Sequence, residues 1–234
     1  MNGAGGAFDT GKPIVALDID GTLGDYHRHF LRFASEWIGR PMPSPGDINP
    51  GLPLSRFMGV SKSTYRQCKL AYRQGGLKRS MPVYDGASEL SRVLRKMGAE
   101  VWICTTRPYL RLDNIDPDTR HWLRRSKIQY DAVIWGENKY RDLVRSVGVH
   151  RVVAVMDDLP ELAQQASSLG IGNVYLRGQP YNTHVDTGRR ARREGAPTRV
   201  EGCSQAQFYI EQDIRTWRKN QQQATTGQAL ILKG

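Results

Sequence analysis

The chain has 234 residues, 39% hydrophobic and 24% charged, which suits one main globular domain with a small insertion. No apolar run approaches the roughly 18 residues needed to cross a bilayer, and the three cysteines, Cys68, Cys104 and Cys203, are too scattered for a zinc site or a disulfide framework. A net charge of +11 points to an anionic partner without naming it.

Residues 1–12 are Gly-rich and lack the basic start and apolar centre of a secretory signal, so they read as a flexible lead-in to a cytoplasmic protein. The apolar run Ile14-Val15-Ala16-Leu17 then closes in Asp18-Ile19-Asp20-Gly21-Thr22-Leu23, a buried strand running into a tight turn. Asp and Gly are ordinary turn residues. Two carboxylates at a strand's carboxyl end can also hold a hard cation and leave one oxygen free as a nucleophile.

Residues 24–85 are far longer than a usual connection and should form a small domain of their own. Tyr26 to Ile38 and Ser63 to Gln74 have helical patterning, separated by the breaker Pro41-Met42-Pro43-Ser44-Pro45-Gly46. Between Asp25 and Asp85 ten basic residues face four acidic ones. Phe30 and Phe57 read as core of this domain, whereas Tyr26, close to Asp20 in sequence, should reach the pocket and meet a base. His27 and His29 have no carboxylate or cysteine at ligand spacing.

Beyond it, helical patterns alternate with short apolar runs. Helices are expected over Ala87–Met97, from Asp116, from Lys139 to Val147 and from Pro160 to Leu169; strands over Val101–Cys104, Ala132–Trp135, Val152–Met156 and Val174–Leu176. Such alternation predicts an α/β fold, a doubly wound parallel sheet of five main strands covered on both faces. Its crossovers bring Asp18, the run Thr105-Thr106-Arg107-Pro108 and the pair Asp157-Asp158 to one edge. Gln205 to Gln223 should form a last helix carrying Phe208, Ile210, Ile214 and Trp217, with a poorly ordered end.

An Asp-x-Asp-Gly-Thr strand end, a strand-end Thr, a Lys opening a helix and a strand-end acid pair, in that order, resemble the haloacid dehalogenase (HAD) superfamily of phosphatases over roughly residues 13 to 183. Within it, the spacing and the stretches Thr105-Thr106-Arg107-Pro108 and Pro180-Tyr181-Asn182 look like the 5′(3′)-deoxyribonucleotidases and the phosphatase modules of phage polynucleotide-end-processing enzymes. The resemblance implies strand order 5-4-1-2-3, a core of residues 13–23 and 86–183, a helical cap over 24–85 closing on the site, and a C-terminal extension over 184–234.

It also implies roles. Asp18 would attack phosphorus to give an aspartyl-phosphate, and Asp20 would act as acid and base with a pKa raised by neighbouring carboxylates. Thr105 and Lys139 would stabilise the transferring oxygens, Lys139 also holding Asp18. Mg2+ would lie between Asp18, the backbone of Asp20 and Asp157. Asp158 could support the cation through water or cap the following helix. Tyr26, Thr106 and Arg107 are candidate substrate contacts, Arg107 being otherwise an exposed loop residue.

The expected substrate is a phosphorylated small molecule, a nucleotide above all. The alternative is a DNA or RNA end gripped by the basic cap and the run Arg189 to Arg193, or a catalytically silent nucleic-acid-binding protein, against which the complete acid set argues. All five catalytic positions precede His184, so the extension should be dispensable for hydrolysis of a small ester.

Overall fold

The computed structural model describes residues 11–108, 112–188 and 195–231. Six parallel strands form one sheet in the order β3-β2-β1-β4-β5-β6: β1 Ile14–Leu17, β2 Glu100–Thr105, β3 Ala132–Trp135, β4 Val152–Asp157, β5 Val174–Arg177 and β6 Thr198–Val200. The first five take the order that the resemblance implied. Side chains alternate across the pleat, so Val15 and Leu17 enter one core layer while Ile14 and Ala16 enter the other.

Helices cover both faces. On one side lie α4 Ala87–Lys96, α5 Ile115–Arg125 and α8 Cys203–Ile231; on the other lie α6 Lys139–Val147 and α7 Pro160–Ser168. Tyr140, Leu143 and Val147 form the inner face of α6, as the helical spacing predicts. The segment between β1 and α4 holds α1 Tyr26–Ile38, α2 Leu54–Phe57 and α3 Lys62–Gln74. Phe30 is fully buried there, Phe57 is partly buried against the same core, and the first and third helices lie where the periodicity placed them.

The C-terminal region differs from expectation. The sheet has a sixth strand, β6, pairing Thr198 with Tyr175 and Val200 with Arg177. The following helix starts at Cys203 and takes in the Gln-rich stretch. It packs on α4 and β4 through Cys203, Ala206, Ile210 and Ile214. Trp217 is partly buried, but Phe208 stays 62% exposed. The buried stripe runs 203, 206, 210, 214, the i, i+3, i+4 rhythm of one face, and Phe208 lies off it. The run Arg189 to Arg193, and residues 1–10 of the lead-in, lie outside the described residues.

Candidate active site

Asp18 follows Leu17 directly, and its N–H donates to the Met156 carbonyl across the β1–β4 edge at 3.0 Å. The chain then folds on the Ile19 carbonyl, which accepts from Thr22, Leu23 and Gly24 at 3.2, 2.9 and 2.8 Å. Gly21 makes this turn possible. Its φ is +94°, and an added Cβ would collide with the Asp158 carboxylate and lie 2.7 Å from the Tyr181 hydroxyl.

Three acids converge beneath the turn. Oxygens of Asp18, Asp157 and Asp158 lie within 4.8 Å of one another, and all three residues are buried. Lys139, fully buried at the first turn of α6, donates to Asp18 Oδ1 at 2.5 Å and pairs with Asp157 Oδ2 at 2.7 Å. Its ammonium, enclosed between two carboxylates, positions Asp18. Tyr140 adds an O–H to Asp157 Oδ2 at 2.5 Å, and the Leu159 N–H donates to Asp157 Oδ1 at 2.9 Å.

Asp158 accepts from Thr22 Oγ1 at 2.9 Å and from the Tyr181 hydroxyl. No side chain caps α7, so Asp158 belongs to the acid group and not to the helix end. Burial, partly offset by Lys139 and reinforced by Asp157, pushes the Asp18 carboxyl up to about 7. Burial and then Asp157 push Asp158 well above the usual carboxylate range. Burial opposes the Lys139 charge, but Asp157 and Asp18 outweigh it and raise the ammonium above its ordinary value. Three buried acids facing one ammonium leave negative charge uncompensated, and their oxygens suit a hard divalent cation, so the residues present fit Mg2+.

Asp20 stands apart from this group. Arg107 holds it through Nη2 at 2.6 Å and Nε at 3.3 Å, and Lys78, just past α3, donates to Oδ2. The expectation that neighbouring carboxylates raise its pKa is therefore corrected. Burial does push the carboxyl up, but Arg107 and then Lys78 overcome it and hold the group well below its ordinary range. The turn aims Asp20 away from the other acids and at two cations. Burial in turn pulls Lys78 down to about 7 despite Asp20.

Arg107 is 2% exposed, not a free loop side chain; it also donates to Thr119 Oγ1 at 2.9 Å and lies over the Trp122 ring. Thr105 is buried at the end of β2, where its hydroxyl accepts the Arg107 N–H at 3.4 Å. Thr106 is exposed and lines the cavity. Tyr26 also reaches it, but its ring is stacked on Phe30 and sits under Lys78 at 4.0 Å, so it is engaged already and not a free platform for a base.

The cavity measures about 220 Å³ between the acid cluster and the helices of the inserted segment. Sequence reading missed Lys69, Arg73 and Lys78 on its wall and Tyr140 and Tyr181 against the acids. The four-residue spacing of Tyr65, Lys69 and Arg73 was the available signal, one stripe of α3; for Lys78 there was none, because its partner lies 58 residues away.

The sequence profile of the family described as 5′ nucleotidase, deoxy (Pyrimidine), cytosolic type C protein matches residues 12–195. The chain belongs to this family. It is thus a HAD-superfamily phosphatase. Among solved structures, a haloacid dehalogenase-like family protein from Streptococcus pneumoniae superposes with a TM-score of 0.56 at 14% identity, covering 86% of this chain and 99% of that one. A HAD hydrolase of family IA, variant 3, from Entamoeba histolytica gives 0.57 at 16%, covering 88% and 99%. A HAD-superfamily hydrolase of subfamily IA, variant 1, from Geobacter sulfurreducens gives 0.55 at 17%, covering 85% and 96%. At these identities the likeness is one of fold. No curated protein matches the sequence. Among the described residues no helix is long and apolar enough to cross a membrane.

Proposed function

We propose that this phosphatase hydrolyses the phosphomonoester of a deoxynucleotide through an aspartyl-phosphate on Asp18, with Mg2+ as cofactor. The observation that carries the reading is Asp18 itself. It is buried beside two further acids, with Oδ1 fixed by Lys139, which leaves its other oxygen for attack. The family match supports the nucleotide.

Asp18 attacks phosphorus, the ester P–O bond breaks, and the alcohol leaves with a proton from Asp20. Water then attacks the phosphoaspartate, gives a proton back to Asp20, and inorganic phosphate departs with Asp18 regenerated. Asp18, Asp157 and the Asp20 carbonyl, with Asp158 beside them, would hold a divalent cation, which would supply charge neutralisation for nucleophile and phosphate. Thr105, buried at the end of β2, would offer its hydroxyl to a transferring oxygen, and Thr106 lines the cavity beside Arg107. Asp20 is ionised while Arg107 and Lys78 grip it. An incoming phosphate competes for both cations, which loosens their hold and lets Asp20 take up the proton it must deliver.

The test is phosphate release from thymidine 5′-monophosphate and from p-nitrophenyl phosphate, with Mg2+ and with excess EDTA, by the wild type and Asp18→Asn. Turnover that needs Mg2+ and falls more than a thousandfold in the variant is expected. Activity retained within about tenfold, roughly 1.4 kcal/mol of barrier, removes Asp18 as nucleophile. Full activity in EDTA removes the metal.

A further inference from the structure

The cap wall of the cavity carries more positive charge than the chemistry at Asp18 uses. Lys69 and Arg73 sit four apart on α3 and both line the cavity, so two like charges share one helix face, an arrangement that costs rather than stabilises. Lys78 and Arg107 are satisfied by Asp20. Lys69 and Arg73 have no ion pair among the described residues, Lys69 lying instead 5.4 Å from the centre of the Tyr65 ring.

Three polar atoms around the same cavity are buried with no hydrogen-bond partner: Tyr26 Oη, His27 Nδ1 and Arg73 Nε. Buried polar atoms left unpaired are rare and costly, and three of them belong to residues that border this one cavity. Two cations with an arginine N–H and a tyrosine O–H suit a multiply charged oxyanion with several acceptor oxygens.

We propose that Lys69, Arg73, Tyr26 and His27 form a second anion subsite, so that the substrate carries a further phosphate group besides the one transferred to Asp18. The inference rests on the phosphatase reading for the first phosphate, and it narrows the substrate to a nucleotide with two separate phosphate groups. The small cavity favours both groups on one nucleotide.

The experiment compares kcat/KM for thymidine 3′,5′-bisphosphate with those for thymidine 3′- and 5′-monophosphate, and for a dithymidylate bearing one terminal phosphate. The full chain is used with Mg2+, as wild type and as the Lys69→Gln/Arg73→Gln double variant. A second arm measures binding of the same ligands by calorimetry in EDTA. The subsite predicts that the wild type prefers the bisphosphate over either monophosphate at least tenfold in both arms, and that the double variant narrows this to within about twofold. A preference shown instead by the dithymidylate supports the subsite and assigns the second anion to a phosphodiester. Wild-type ratios within twofold for every ligand, or a preference the double variant leaves unchanged, overturn it. If no ester, p-nitrophenyl phosphate included, is hydrolysed with Mg2+, the phosphatase reading fails and the binding arm alone decides the subsite.

Discussion

Replacing Lys139 with methionine tests whether the acid cluster is built around a cation. Lys139 is fully buried, 2.5 Å from Asp18 Oδ1 and 2.7 Å from Asp157 Oδ2. Methionine fills much of the same volume without the charge, so packing changes little and electrostatics dominate. Removing one partner of a buried pair costs about 3–5 kcal/mol, because the remaining charge stays buried and uncompensated. For a domain whose total stability is about 5–15 kcal/mol this is a large loss. Saturating Mg2+ supplies positive charge to the same oxygens; a site filled to 100 times its Kd adds about 2.7 kcal/mol. Urea denaturation of wild type and Lys139→Met, each in EDTA and in Mg2+, reads both terms. The expected outcome is a loss of about 3–5 kcal/mol in EDTA that shrinks by at least 1 kcal/mol in Mg2+. A loss below about 1 kcal/mol in EDTA, or an equal loss in both buffers, would refute the reasoning.

Gly21→Ala should destabilise by about 1–3 kcal/mol from its positive φ alone; because the Cβ also displaces the Asp158 carboxylate, activity should fall at least a hundredfold in protein that is still folded, and wild-type turnover would show that Asp158 is free to move. Burial pulls the Lys69 ammonium from 10.5 down to about 8, with Arg73 adding to it. The unfolded chain, near 10.5, therefore binds more protons between those values, so this group makes stability rise from about pH 8 to about 10.5, and its penalty, about 2 kcal/mol after solvent screening, is fully present below pH 8. Lys69→Met should then be more stable than wild type at pH 7 without ligand, with a flatter rise in urea midpoint between pH 8 and 10; an unchanged slope would count against the burial of this charge. Truncation at His184 should yield unfolded protein by circular dichroism, because Val200, Ala206, Ile210 and Ile214 are fully buried and each such aliphatic side chain larger than Ala adds about 1.5–3 kcal/mol; a folded, active truncation would show that β6 and α8 are accessory.

The chemistry of the floor was legible because each part sits at a strand end or a helix start. Asp18 follows β1, Thr105 ends β2 and Asp157 ends β4, positions that an apolar run locates to within a residue, whereas Lys139 at the start of α6 was picked out by the family pattern alone. The fold then does the converging. The cap wall was not legible in the same way. Lys78 meets Asp20 across 58 residues, and nothing local in its stretch distinguishes it from a solvated basic residue. The C-terminal strand was missed for a different reason: β6 is three residues long, Thr-Arg-Val, too short to show alternation. Dispensability of the extension was argued from where the chemistry lies, and burial of α8 overrides that argument.

The site also divides its charges by origin. The core contributes the three clustered acids and the one ammonium that orders them, whereas the insertion contributes Lys69, Arg73 and Lys78. Asp20 belongs to the first strand's turn but is held from both sides, by Arg107 of the core and Lys78 of the cap. The Lys78 contact therefore joins the inserted segment to the core and, with Arg107, holds the Asp20 carboxyl below its ordinary range. In the mechanism proposed above, a phosphate that draws Lys78 away loosens that grip, so binding of substrate and protonation of Asp20 would become one event.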